Sequence, residues 1–159
     1  MLYPSKFGFD PLFPSSKDFE VIVKDDKVGK GVFCYRPFKK GEILAKITGE
    51  ITQDLRQHTL QIDNDNHLLD TYFSGYFLHS CDPNISLNMD EMIVTVVKDI
   101  QANSYLFMDY SQTEDILYKE FQCGCGSVKC RGWITGRFQR TKPHSINYGI
   151  EDTVIGIEN

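Results

Sequence analysis

Three cysteines fall within eight residues of this 159-residue chain, in the run Cys123-Gly-Cys125-Gly-Ser-Val-Lys-Cys130-Arg-Gly. Glycine admits the positive φ angles with which a short loop folds around an ion. A structural zinc site takes four tetrahedral ligands, with thiolates about 2.3 Å from the metal, so three cysteines leave one place to fill. Cys81, Cys34 and a histidine such as His144 are the candidates. Redox chemistry is the other use of clustered thiols, but it favours a C-x-x-C pair and none is present. With Cys34 and Cys81 the cysteines number five, an odd total. A secreted disulfide framework uses an even number behind a signal peptide. The opening residues MLYPSKFGFDPLFP show no basic stretch leading into an apolar one. The expectation is an intracellular, reducing setting.

The length suits one compact domain. Apolar residues at 41% and charged ones at 25% sit near globular averages and argue against wholesale disorder. No run approaches the roughly 20 apolar residues of a membrane-spanning helix, so no membrane span is expected. Phe19, Val21 and Val23 alternate with Glu20, Ile22 and Lys24, the period of a half-buried strand. Val28-Gly-Lys-Gly31 reads as a tight turn before Val32-Phe-Cys34, and Pro37 to Gly41 as a second turn before Ile43, Leu44 and Ile47. Thr59 to Ile62 reads as a short strand, and Ile85 to Val97 as a hairpin turning at Asn88 to Glu91. Tyr105 to Met108 is a further apolar run, and Glu114 to Phe121 alone reads as helical. Many short strands with little helix predict a mainly β domain. The last dozen residues read as a loosely held tail.

Charge is unevenly spread. Residues 1–49 carry nine basic and six acidic side chains, residues 50–120 three and thirteen, and residues 121–159 five and three. The formal net charge of −5 therefore hides an acidic middle segment, and a basic strip from Lys129 to Lys142 free of acids. A negative belt repels nucleic acid and attracts basic partners, so direct nucleic-acid binding is not expected.

Gly29-Lys-Gly31, His79-Ser-Cys-Asp-Pro-Asn84 and Asp109-Tyr110 precede C-x-C-x4-C-R-G in that order. Each alone is weak; together they resemble a SET-domain protein lysine methyltransferase with a zinc-binding post-SET segment. The resemblance runs from about residue 19 to 134. It implies a β-clip-like SET fold of small curved sheets, with the HSCDPN and DY segments in a knot-like crossing. It divides the chain into an N-terminal segment (1–18), a SET domain (19–112), a post-SET segment (113–142) and a tail (143–159).

The resemblance also implies a site. S-adenosyl-L-methionine binds on one face and the substrate lysine on the other, joined by a narrow channel. Lys30, Gly31 and Val32 match the segment whose backbone contacts the cofactor. His79 matches the histidine that holds the adenine, with Leu78 beside it. Cys81 matches the cysteine that completes Zn2+ coordination with Cys123, Cys125 and Cys130. Trp133 falls where the post-SET segment covers cofactor and channel, and Tyr110 matches the catalytic tyrosine. A free lysine has a pKa of about 10.4, and an apolar channel beside a sulfonium lowers it.

Four positions depart from the family pattern. Gly75 and Leu78 stand where Arg and Asn are usual in Arg-Phe-x-Asn-His. Ile47 replaces the tyrosine of Tyr-x-Gly-Glu, and Met108 a Phe or Tyr. The activity implied is methylation of a lysine on a basic protein such as a histone or ribosomal protein. The alternatives are a catalytically silent SET module that binds a basic partner, and a methyltransferase for small amines.

Overall fold

A computed structural model describes residues 1–139. Strand β1 (Phe19–Asp25) pairs with β2 (Gly29–Cys34) in an antiparallel hairpin. The Asp25 carboxylate accepts the Lys27 and Val28 N–H groups, and Gly29 takes a φ of +79° that only glycine adopts freely. β1 keeps Phe19 inside, but its register slips between Val23 and Asp25 and Val23 is 59% exposed. The expected alternation therefore holds only at the start of the strand.

Seven more strands form most of the body: β3 (Ile43–Lys46), β4 (Glu50–Thr52), β5 (Thr59–Gln61), β6 (His67–Leu69), β7 (Leu78–His79), β8 (Ile85–Asn88) and β9 (Ile93–Val96). β10 (Ser104–Tyr105), β11 (Phe107–Met108), β12 (Phe121–Gln122) and β13 (Trp133–Ile134) follow. They form small sheets ordered β1-β2-β10, β3-β9-β8 and β4-β6-β5, with two-stranded pairs β7-β11 and β12-β13. The mainly β expectation, including the 85–97 hairpin, is borne out.

The core lies between these sheets. Phe19 stacks on Phe38 at 5.5 Å, and Phe73 meets both Phe19 and Phe77 edge-on. Such pairs add about 1 kcal/mol each beyond their buried area. Tyr3 and Phe13 join the same core, so residues 1–18 pack into the body. One polar hub lies within it. Fully buried Asp70 accepts from Tyr3 Oη (2.7 Å), Ser74 Oγ (2.5 Å) and the N–H groups of Tyr72, Phe73 and Ser74.

The two motif segments cross here. β7 pairs with β11 in parallel, and the contact continues through Ser80 N–H to Met108 O and Asn84 N–H to Phe107 O. The Asn84 side chain clamps the second segment from both sides, donating to Tyr105 O and accepting from Phe107 N.

Residues 114–121 are not a helix; the single turn Tyr110–Gln112, capped by Asp109, lies just before them. The reason is competition from β5. Gln61 Oε1 accepts the Asp115 N–H at 2.6 Å, and the Glu114 carboxylate accepts the Gln61 N–H. An eight-residue helix has too little internal bonding to resist that. Residues 140–142 of the post-SET segment, the tail 143–159 and His144 lie outside the described residues. Among the described residues no helix is long and apolar enough to cross a membrane.

Candidate functional site

Cys81 projects from the crossing toward the loop between β12 and β13. Its sulfur and those of Cys123, Cys125 and Cys130 all lie within 4.8 Å of one another. The Cys81–Cys123 separation is 3.9 Å, close to the roughly 3.8 Å edge of a tetrahedron with 2.3 Å metal–sulfur bonds. Four soft donors at that spacing can hold a metal ion. Cys34 stays apart, buried in the core with its thiol facing Gln101 O. The Ser127 N–H is the first of the groups that lower the Cys125 thiol, to about 6.

The groups around the thiols connect them to Tyr110. The Tyr110 N–H donates to His79 Nδ1 at 3.3 Å, which leaves the ring hydrogen on Nε2, 3.5 Å from the Cys81 sulfur. Burial lowers the His79 pKa to about 4, against the opposing pull of Asp109, so the ring is neutral. The Arg131 N–H also donates to Cys81 Sγ, at 3.4 Å, while its guanidinium holds Asp109 Oδ1 at 2.5 Å and Ser111 Oγ at 2.7 Å. Burial raises the Asp109 carboxyl, but Arg131 and Ser111 outweigh it and keep it below its ordinary range. Partners of metal ligands fix ligand orientation. Here the same partners also fix the turn that carries Tyr110.

Beside this network lies an open cavity of about 1000 Å³. Lys30, Leu78, His79, Met108 and Tyr110 line it, and Cys123 and Cys125 form its edge. The Tyr110 hydroxyl donates to Phe77 O at 2.7 Å, which commits its proton and leaves its lone pairs as acceptors. Burial, and then the charge of Glu114, push this phenol above its ordinary pKa. Not every residue singled out from the sequence reaches the lining. Val32 is wholly buried in the core, Gly31 lies behind Leu78, and Trp133 sits in β13 with its indole N–H on Glu120.

Three departures have local causes. A Cβ on Gly75 would lie 2.1 Å from Asp70 O, so no arginine fits there; the Gly75 carbonyl instead faces His58 Nδ1 at 2.8 Å. A Cβ on Gly31 would meet Leu78 Cδ1 at 2.7 Å, so this glycine makes room for that leucine. Ile47 is a buried core residue, and a phenol reaches the adjoining position from the N-terminal segment, Tyr3 Oη accepting the Thr48 N–H at 3.4 Å.

Among the lining residues not found from the sequence are His58 and Glu114. His58, at a φ of +68°, sets its ring at a tilt against Tyr76, with centroids 4.3 Å apart. Glu114 is only 5% exposed and follows Tyr110 by four residues. Its spacing from Tyr110 was the available signal; reading it as a helix start hid it.

The comparisons with known proteins give the family and the fold. The SET domain family profile matches residues 29–111, over half of the chain, and the chain belongs to the SET-domain family. It is 26% identical over 145 residues to the variant-silencing SET domain-containing protein of Plasmodium falciparum, covering 74% of this chain and 6% of that protein. It is 27% identical over 110 residues to the H3 lysine-9 specific histone-lysine N-methyltransferase of Schizosaccharomyces pombe, covering 55% and 21%. The chain thus spans a small part of these relatives. Among solved structures, KRYPTONITE in complex with mCHG DNA and SAH superposes at a TM-score of 0.59 with 21% identity, covering 72% of this chain and 28% of that one. A structure on the product specificity of histone lysine methyltransferases gives 0.54 and 21%, covering 73% and 56%. The likeness shows the fold.

Proposed function

We propose that the chain is an S-adenosylmethionine-dependent protein-lysine N-methyltransferase whose post-SET segment is held by one zinc ion. The observation that carries this reading is the meeting of Tyr110, His79 and the thiol cluster at a single cavity. Cys81, Cys123, Cys125 and Cys130 would hold the zinc, which supplies structure to a segment with little core of its own. Lys30, Leu78 and His79 would hold the cofactor, with Gly31 and Val32 shaping the wall behind them and Trp133 bracing the segment that closes over it. S-adenosylmethionine, when bound, supplies a methyl group on a sulfonium sulfur.

The chain supplies the rest. The buried wall around Phe77, Met108 and Tyr110 strips water from an entering lysine and favours its neutral form. Tyr110 Oη, its proton committed to Phe77 O, accepts from the amine and so aligns it. Met108, 1% exposed, bounds the space available to added methyl groups.

A basic, histone-like peptide fits the exposed acids Asp54, Asp63 and Asp65, and the relatives named as histone methyltransferases support that class. Free thiols at the cluster suit an intracellular setting. The test is labelled cofactor incubated with zinc-replete protein and mixed core histones, with mass spectrometry locating the label. Labelled lysine is expected; label absent from every lysine would refute the reading.

A second reading, a silent module that binds a basic partner, is favoured by one contact. Leu78, standing where the family has asparagine, fills the space over Gly31. Calorimetry with S-adenosylmethionine separates the two, since a silent module gives no heat even at millimolar cofactor.

A further inference from the structure

Two carboxylates line the cavity, Asp25 and Glu114. Asp25 is occupied at an exposed turn by the Lys27 and Val28 N–H groups and by Lys24 Nζ. Glu114 differs. It is buried, and its two oxygens share one donor, the Gln61 N–H, at 3.1 and 3.2 Å. An ionised carboxylate has about four acceptor sites, so most of its capacity is unused. The nearby cation does not fill it. Arg137 places Nε on Asp115 at 2.8 Å and its terminal nitrogens on the carbonyls of Gln112 and Thr113. Among the described residues no cation bonds Glu114. Its own N–H donates to Tyr110 O at 2.9 Å, which sets it one turn from the phenol on the same cavity wall.

A buried carboxylate without a cation is costly to keep. The cost is offset when a ligand brings the cation, and N–H donors on a positive nitrogen match the unused acceptor sites. We infer that Glu114 is a catalytic residue that docks the ammonium of the acceptor lysine and takes one of its protons. This rests on the lysine-methyltransfer reading and adds to it a base. The Nζ–H bond breaks, its electron pair stays on nitrogen, and the proton forms an O–H bond on the Glu114 carboxyl. The neutral amine holds the lone pair that methyl transfer requires. Glu114 then returns the proton to water at the cavity mouth.

The electrostatics suit the task. Burial raises the Glu114 pKa to about 7, with the Gln61 N–H and Arg137 opposing and Asp115 adding to the shift. A base poised near 7 populates both forms in ordinary conditions.

The test compares wild type with Glu114→Gln, which keeps an acceptor for the Gln61 N–H. Wild-type kcat/KM should rise with pH through about 7 as the carboxylate forms; the variant should lose that limb and Glu114→Asp should recover part of it. Without cofactor, calorimetry should show a lysine peptide binding the variant about tenfold more weakly, the loss of one charged hydrogen bond. A norleucine peptide should not distinguish the two proteins. Zinc content should stay the same. A variant that keeps the limb and the lysine preference while wild type transfers methyl overturns this inference alone. A wild type that transfers no methyl to any lysine overturns the reading beneath it. Should the variant fold poorly, the carboxyl carbon resonance of Glu114 in wild type decides. It should move on adding the lysine peptide and not the norleucine peptide, and an unmoved resonance overturns the inference.

Discussion

From Tyr3 to Met108 the chain is held by apolar packing, with one buried acid at its centre. From Thr113 to Gln139 it buries only Leu117 and Ile134 among its large apolar side chains, and neither belongs to the main core. In the later region three thiols gather around Cys81 and charged side chains pair. Lys129 pairs with Asp82, Arg131 with Asp109 and Arg137 with Asp115. The basic strip and the acidic belt therefore meet inside one molecule, and part of the belt is spent on docking the segment rather than on a partner. Burial fixes the body; ion pairs and clustered thiols mark the piece beside the cavity. On the proposed reading, the frame folds without metal and zinc completes the site.

The largest effect should come from Cys123→Ser. Removing one of four ligands should abolish stoichiometric zinc and the amide protection of residues 121–134, while protection of β8 and β9 stays intact by hydrogen exchange. Loss of protection in both regions would break the distinction. Asp70→Ala should do the reverse. It leaves the Tyr3 and Ser74 hydroxyls and three buried N–H groups without their acceptor, costing about 3–5 kcal/mol in urea unfolding while zinc content is unchanged.

A pH effect of smaller size should appear where the regions join. The folded Glu114 carboxyl has a pKa of about 7, above an unfolded value near 4.5, so the folded state holds its proton longer. Its contribution is fully present below about pH 4.5 and is lost as pH rises to about 7, by about 3 kcal/mol at most. Glu114→Gln should remove that slope from stability measured across this range. The smallest effect should be Arg131→Ala. Loss of the guanidinium that holds Asp109 and Ser111, with the backbone N–H to Cys81 Sγ kept, should weaken zinc retention against a chelator by at most about tenfold. The melting of the body should barely move, because the Arg131 guanidinium is partly solvated.

The contrast also explains what was legible from sequence. Motifs were readable because they are short and local: His79 to Asn84, Asp109-Tyr110 and the cysteine run lie close to one another in space, as their resemblance implied. Strands with clear alternation, such as β8 and β9, were readable for the same reason. Close approach was not. That Gly75 lies against His58, or that Gly31 yields to Leu78, depends on segments far apart in the chain. The pull of Gln61 on residues 114 and 115 is equally non-local, and it converted an expected helix into an anchored turn. Tyr3 and Phe13 gave no local sign that residues 1–18 belong to the core.

On the proposed reading the thiol segment completes a methyl-transfer site on a body that folds without it. Zinc added back to chelator-stripped protein, with methyl transfer to a lysine peptide followed by mass, tests this directly. Transfer should rise with zinc and level off at one ion per chain, while the near-ultraviolet signal of the aromatic core stays constant. Full transfer by metal-free protein, or none at saturating zinc, would contradict it.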